Sequence, residues 1–170
     1  EILLEGVQPA HMQGMTALLK ESGCQIFEGE RQMALRRSQD IHPIRTIQTL
    51  PYPGFPTDAQ AILMAYLTLA KGTSVFVENI FESRYKHVGE LIRMGADIKV
   101  LGRLAIVYGV PRLCCANVRC EDLRGGAALV LAALAAEGTS EIENISHIER
   151  GYDHIEDQLT SLGADIKRMS

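Results

Sequence analysis

The chain of 170 residues has no dense basic stripe: of its 17 lysines and arginines, only Arg36-Arg37 and Lys167-Arg168 are adjacent. With 21 acidic residues the formal charge is −4 and the pI is near 5.7, so no nucleic-acid-binding face is expected. It also lacks a long apolar run. The longest, Ala127 to Ala136, is about half of what a bilayer-crossing helix needs. The four cysteines, Cys24, Cys114, Cys115 and Cys120, have no C-x-x-C spacing, and His11, His42, His87, His147 and His154 share no ligand spacing, so no metal is expected. Neither glycine pattern of the nucleotide phosphate loops occurs. No charged-then-apolar signal precedes the first element, and the cysteines read as reduced core or surface residues. The expectation is a cytoplasmic protein without a membrane partner.

Hydrophobic residues make up 46% of the chain and mean hydropathy is +0.03, which suits a single globular domain over 1–170. The chain starts at Glu1 and runs straight into Ile2-Leu3-Leu4, which reads as strand interior. That start is expected of a segment cut from something larger.

The most informative feature is an internal repeat. At a fixed offset of 66 residues Asp58 matches Arg124, Gly72-Thr73-Ser74 matches Gly138-Thr139-Ser140, and Arg84 matches Arg150. A duplicated βα unit that returns a charged group to one corner reads as a scaffold for an anionic ligand. Punctuation supports the repeat. Gly23, Gly95 and Gly163 each follow an amphipathic helical pattern and precede a short β run, where a left-handed residue closes a helix.

Two other helical stretches, Asp58 to Lys71 and Leu123 to Glu137, are apolar nearly all round and must therefore be buried on every face. Those near 85–94 and 150–162 show one apolar stripe. Strands are expected at Ile2–Glu5, Gln25–Phe27, Met33–Arg36, Ile44–Thr49, Ser74–Val77, Ile98–Leu101, Ala105–Tyr108, Val118–Arg119, Glu141–Glu143 and Ile166–Lys167. The order implies one α/β domain of repeated β-α-β-α-β-β units, with buried helices inside and sheets outside.

Four places carry candidate chemistry. Pro51-Tyr52-Pro53-Gly54-Phe55-Pro56 is stiff and delivers Thr57-Asp58 to a defined place; Thr57 with Gln60 fits a capping box, and Asp58 either caps the helix or faces a ligand. Asp122 can cap the second buried helix. Arg124 is electrostatically misplaced at a helix start unless an anion lies there, and Gly125-Gly126 would let one approach. Phe81-Glu82-Ser83-Arg84 and His147-Ile148-Glu149-Arg150 form matched corners between a strand end and an outer helix. Glu82 and Glu149 could equally pair with surface neighbours.

Pro51 to Gln60, Phe81 to Val88, Asp122 to Val130 and His147 to Tyr152, with the Gly-Ala-Asp-Ile closures, resemble the UDP-N-acetylglucosamine enolpyruvyl transferases that start peptidoglycan synthesis. The resemblance runs over nearly the whole chain, in the family's motif order, and matches most of one of that enzyme's two domains. It implies an inside-out α/β barrel. It also implies UDP-N-acetylglucosamine and phosphoenolpyruvate as substrates, no cofactor, and the missing domain of the same parent chain as partner. Asp58 then matches the aspartate proposed as base for the sugar hydroxyl. Arg84, Arg124 and Arg150 match arginines on the phosphoenolpyruvate side, Glu82 and Asp122 acidic residues beside them, and Ile80 and Phe81 a segment lining the uridine nucleotide pocket. The glycine-rich loop with the family's reactive cysteine has no counterpart here, and neither Cys114 nor Cys115 takes its role. A stand-alone binding module for phosphorylated or carboxylated molecules is an alternative. So is a shikimate-phosphate enolpyruvyl synthase, although that family's arginine-rich helix start is replaced here by Phe81-Glu82-Ser83-Arg84.

Overall fold

A computed structural model describes residues 1–169. Strands β1 (Ile2–Glu5), β2 (Gln25–Glu28) and β3 (Gln32–Arg36) form an antiparallel sheet with β3 in the middle. Helix α1 (Gln13–Glu21) runs between β1 and β2. A second sheet has the order β4-β5-β7-β6, from β4 (Ile47–Gln48), β5 (Thr73–Val77), β6 (Asp97–Leu101) and β7 (Leu104–Tyr108). Helix α2 (Thr57–Leu67) joins the parallel pair β4 and β5, and α3 (Val88–Arg93) lies between β5 and β6. The third sheet is the parallel pair β8 (Asn117–Arg119) and β9 (Glu141–Glu143), bridged by α4 (Leu123–Ala135). Short helices α5 (Ser146–Glu149) and α6 (Ile155–Ser161) follow.

The repeat is structural. β4-α2-β5 and β8-α4-β9 are both parallel crossovers around a buried helix. The matched serines do the same work: Ser74 Oγ accepts from the Ile44 amide at 3.0 Å and Ser140 Oγ from the Ala116 amide at 3.2 Å. The three glycine closures are alike too. Gly23, Gly95 and Gly163 have φ of +102°, +93° and +93°. Beyond each, the next amide bonds back at 3.0 Å, Cys24 to Leu19, Ala96 to Leu91 and Ala164 to Leu159, the double-bonded ending that a left-handed residue permits.

Helices α2 and α4 meet at the centre. Ala59, Ala61, Leu63, Met64, Ala65 and Leu67 of α2 are buried with Ala128, Leu129 and Ala132 of α4, and Phe76, Ala105 and Val107 of the second sheet join the same core. The run of alanines lets the two backbones approach closely.

Several expectations need correction. Helix α4 is not buried on every face: Leu131 and Leu134 are each 37% exposed, while Leu129 and Val130 are buried. Ile166–Lys167 forms no strand within the described residues, because a strand exists only through a partner and β8 and β9 pair with each other. The stretch 150–162 is helical only from Ile155, after His154 at φ +43° interrupts it. Helix α2 stops at Leu67 rather than Lys71. The sheets flank the buried helices, as expected, and form three separate sheets.

Candidate functional site

The segment before α2 folds back on itself: the Gly54 amide donates to Pro51 O at 2.8 Å and the Leu50 amide to Phe55 O at 2.9 Å. This tight loop sets the start of α2 beside the start of α4. The capping box is not formed. Pro56 is the N-cap residue and no side chain caps α2, because the Thr57 hydroxyl is taken by Glu78, to which it donates at 3.0 Å. Asp58 is therefore free of capping and points to the arginines. Asp122 does cap α4, accepting from the Arg124 and Gly125 amides at 3.0 and 2.8 Å.

The matched pair of the repeat, Asp58 and Arg124, are in direct contact. Arg84 Nη2 donates to Asp58 Oδ1 at 2.6 Å and Arg124 Nη2 to Asp58 Oδ2 at 2.8 Å. The Asp58 side chain is 52% exposed and those of Arg84 and Arg124 are 24% and 29% exposed. Ion pairs this open contribute about 0–1 kcal/mol each, so stability does not explain their convergence. Both guanidinia lie over aromatic rings, Arg84 over Phe81 at 4.5 Å and Arg124 over Tyr152 at 5.9 Å. Burial works against the charge of Arg124, but its hydrogen bonds with Asp58 and Tyr152 prevail and its pKa is raised. Asp58 and the cap Asp122 match the two guanidinia in formal charge, and the guanidinia converge as fixed N–H donors at the helix starts. Such a place can hold an anion, with a carboxylate at hand to accept a proton from a neighbouring hydroxyl.

The other expected residues are arranged differently. Ile80 and Phe81 lie in the loop after β5, 40% and 49% exposed, their amides bonded to Glu78. Glu82 turns outward to Arg103 at 3.6 Å and does not join the cluster. Arg150, exposed at the end of α5, is also not brought to Asp58: its segment forms a helical turn with Ile148 buried against α4, whereas Phe81 to Arg84 is non-helical. Three participants escaped sequence reading. Tyr152 hydrogen-bonds Arg124 at 3.5 Å; its place in a motif next to Arg150 was the available signal. His87, 3% exposed, has neither ring nitrogen partnered among the described residues, and burial pushes its pKa down to about 4. Glu78, 1% exposed, carries no local signal at all. No group of three or more His, Cys, Asp or Glu suited to a metal occurs among the described residues.

The architecture is that of an enolpyruvyl transferase domain. The enolpyruvyl transferase NikO from Streptomyces tendae superposes with a TM-score of 0.85 at 26% identity, over 97% of this chain and 39% of that one. A profile of the family described as EPSP synthase (3-phosphoshikimate 1-carboxyvinyltransferase) matches residues 1–159, and the chain belongs to this family. Among curated relatives, a UDP-N-acetylglucosamine 1-carboxyvinyltransferase of Desulfofundulus thermocisternus is 52% identical over 99% of this chain and 69% of its own length. One of Clostridium acetobutylicum is 50% identical over 98% of this chain and 40% of its own length. The chain thus spans well under half of relatives such as the second. No helix among the described residues is long and apolar enough to cross a membrane.

Proposed function

We propose that this chain forms one wall of a cytoplasmic enzyme that transfers the enolpyruvyl group of phosphoenolpyruvate to the 3-hydroxyl of UDP-N-acetylglucosamine, releasing phosphate, in peptidoglycan synthesis. The observation that carries this reading is the convergence of Arg84 and Arg124 on Asp58 from two copies of the repeat. In the first step the sugar oxygen bonds to C2 of phosphoenolpyruvate, its proton passes to Asp58, and C3 takes a proton from a donor in the rest of the parent chain. In the second, a proton leaves C3, the double bond re-forms and the C2–O bond to phosphate breaks. Arg84 and Arg124 hold the carboxylate and phosphate, Ile80 and Phe81 line the nucleotide side, and Asp122 fixes the helix start that carries Arg124. Electrostatic clamping of developing charge is the main service such a wall provides.

The phosphoshikimate name of the family profile supports a second acceptor, shikimate 3-phosphate. The full-length parent, given phosphoenolpyruvate and each acceptor in turn, is expected to release phosphate only with the uridine nucleotide sugar. The isolated 170-residue chain is expected to stay at the uncatalysed rate. Phosphate release with shikimate 3-phosphate alone would overturn the acceptor, and turnover by the isolated chain would overturn the one-wall reading.

A further inference from the structure

We infer that Glu78 is a positioning residue that sets the orientation of Arg84 and of the Ile80–Phe81 loop, an inference that rests on the function proposed above. Its carboxylate is buried, with no cation paired to it among the described residues. A buried carboxylate is costly unless its lone pairs are filled, and four donors fill these. Oε1 accepts from the Thr49 hydroxyl at 2.9 Å, the Ile80 amide at 2.8 Å and the Phe81 amide at 3.1 Å; Oε2 accepts from the Thr57 hydroxyl at 3.0 Å. The donors come from the end of β4, the first turn of α2 and the loop after β5, so one side chain fastens three segments.

The fastening also has a polarity. A threonine hydroxyl has one hydrogen, and Thr57 gives it to Glu78. Only lone pairs remain for its other contact, the Arg84 Nε–H at 3.3 Å. The far end of the same guanidinium holds Asp58 at 2.6 Å. In the order Glu78, Thr57, Arg84, Asp58 the donations run outward from Arg84, through Thr57 to Glu78 on one side and directly to Asp58 on the other, so the carboxylate of Glu78 fixes Thr57 as the acceptor that orients the Arg84 guanidinium. The second copy of the repeat has no such hub: the residue 66 positions after Glu78 is Asn144, which is exposed and whose side-chain amide donates to Cys120 O at 2.9 Å. Position 58 of the first copy also becomes Arg124 in the second, so Arg150 has neither the hub nor the matching carboxylate that hold Arg84.

Gln is nearly isosteric with Glu. In Glu78→Gln the amide oxygen stays with the three donors and the NH2 faces Thr57, donor against donor, so Thr57 must turn its hydrogen toward Arg84. In the full-length parent, well below its melting temperature, kcat/KM for phosphoenolpyruvate is expected to fall by roughly ten- to a hundredfold. Thr57→Val should lose a similar amount. The double variant should be no worse than the more damaged single one, since both cut one link, and Thr57→Ser should recover most of the loss. A lowered melting temperature with unchanged kcat/KM in Glu78→Gln, or additive losses in the double variant, would overturn the inference. If the parent releases no phosphate at all, the proposed function fails by itself and amide exchange still reads the hub. Glu78→Ala should then speed exchange at Ile80 and Phe81 by at least about tenfold while Glu78→Gln leaves it unchanged, and full protection in Glu78→Ala would overturn the inference.

Discussion

Asp58 separates structural from chemical roles at the scale of one residue. It caps nothing, and its two ion pairs are half-open to solvent, so removing it should change stability by no more than about 2 kcal/mol. Asp58→Ala in the full-length parent is therefore expected to melt within a few degrees of the unaltered protein while turnover drops by roughly two to four orders of magnitude. Steady-state phosphate release beside a thermal melt checks both halves. Near-normal turnover with a lowered melting temperature would assign Asp58 to the scaffold.

At the scale of the element, the start of α4 shows packing overruling helix propensity. An Ala at position 125 would favour the helix by up to about 1 kcal/mol over Gly. Its Cβ, however, would lie 2.9 Å from His87 Cβ and 3.1 Å from Asp122 Oδ2. Neither neighbour is the free end of a flexible chain, since Asp122 is held by the two amides it caps. Overpacking of this kind costs about 1–3 kcal/mol, so Gly125→Ala is expected to be destabilising despite its propensity. Equilibrium denaturation of the parent carrying the substitution reads the sign. Asp122→Ala should cost about 0.5–2 kcal/mol as a lost cap.

At the scale of the whole molecule, the buried His87 couples pH to stability. It is the residue before α3 and packs on Gly125 of α4, with Asp122 and Arg84 as its charged neighbours. Burial lowers its folded pKa to about 4, below the ordinary value of about 6.5. Above pH 6.5 it is neutral in both states and stability owes nothing to its titration. Between pH 6.5 and 4 the unfolded chain takes up a proton that the folded chain refuses. Stability therefore declines as pH falls through that window, by up to about 3 kcal/mol. His87→Leu removes the titration without breaking a hydrogen bond. The loss of denaturation midpoint between pH 7 and pH 4.5 is expected to be smaller in this variant than in the parent, and equal losses would show that His87 does not titrate in the folded protein as described.

Local sequence by itself determined the helices α2 and α4, the three left-handed glycine closures and the repeat, because each depends on periodicity or on a backbone angle that neighbours in the chain dictate. It also placed Asp58, Arg84 and Arg124 as candidates, since charged groups at helix starts stand out against an apolar run. Only tertiary structure decided which of them meet. Arg84 and Arg150 are equivalent in the repeat, yet one reaches Asp58 and the other stays exposed, because the loop of the first is fastened by Glu78 and that of the second coils into α5. The capping box at Thr57 was lost for the same reason: a carboxylate distant in sequence offered its hydroxyl a better acceptor than the helix amides did. Ile166–Lys167 has strand character in its residues, but no strand among the described residues pairs with it. Contacts between distant segments leave no periodic trace in sequence, and the orientation of this site depends on them.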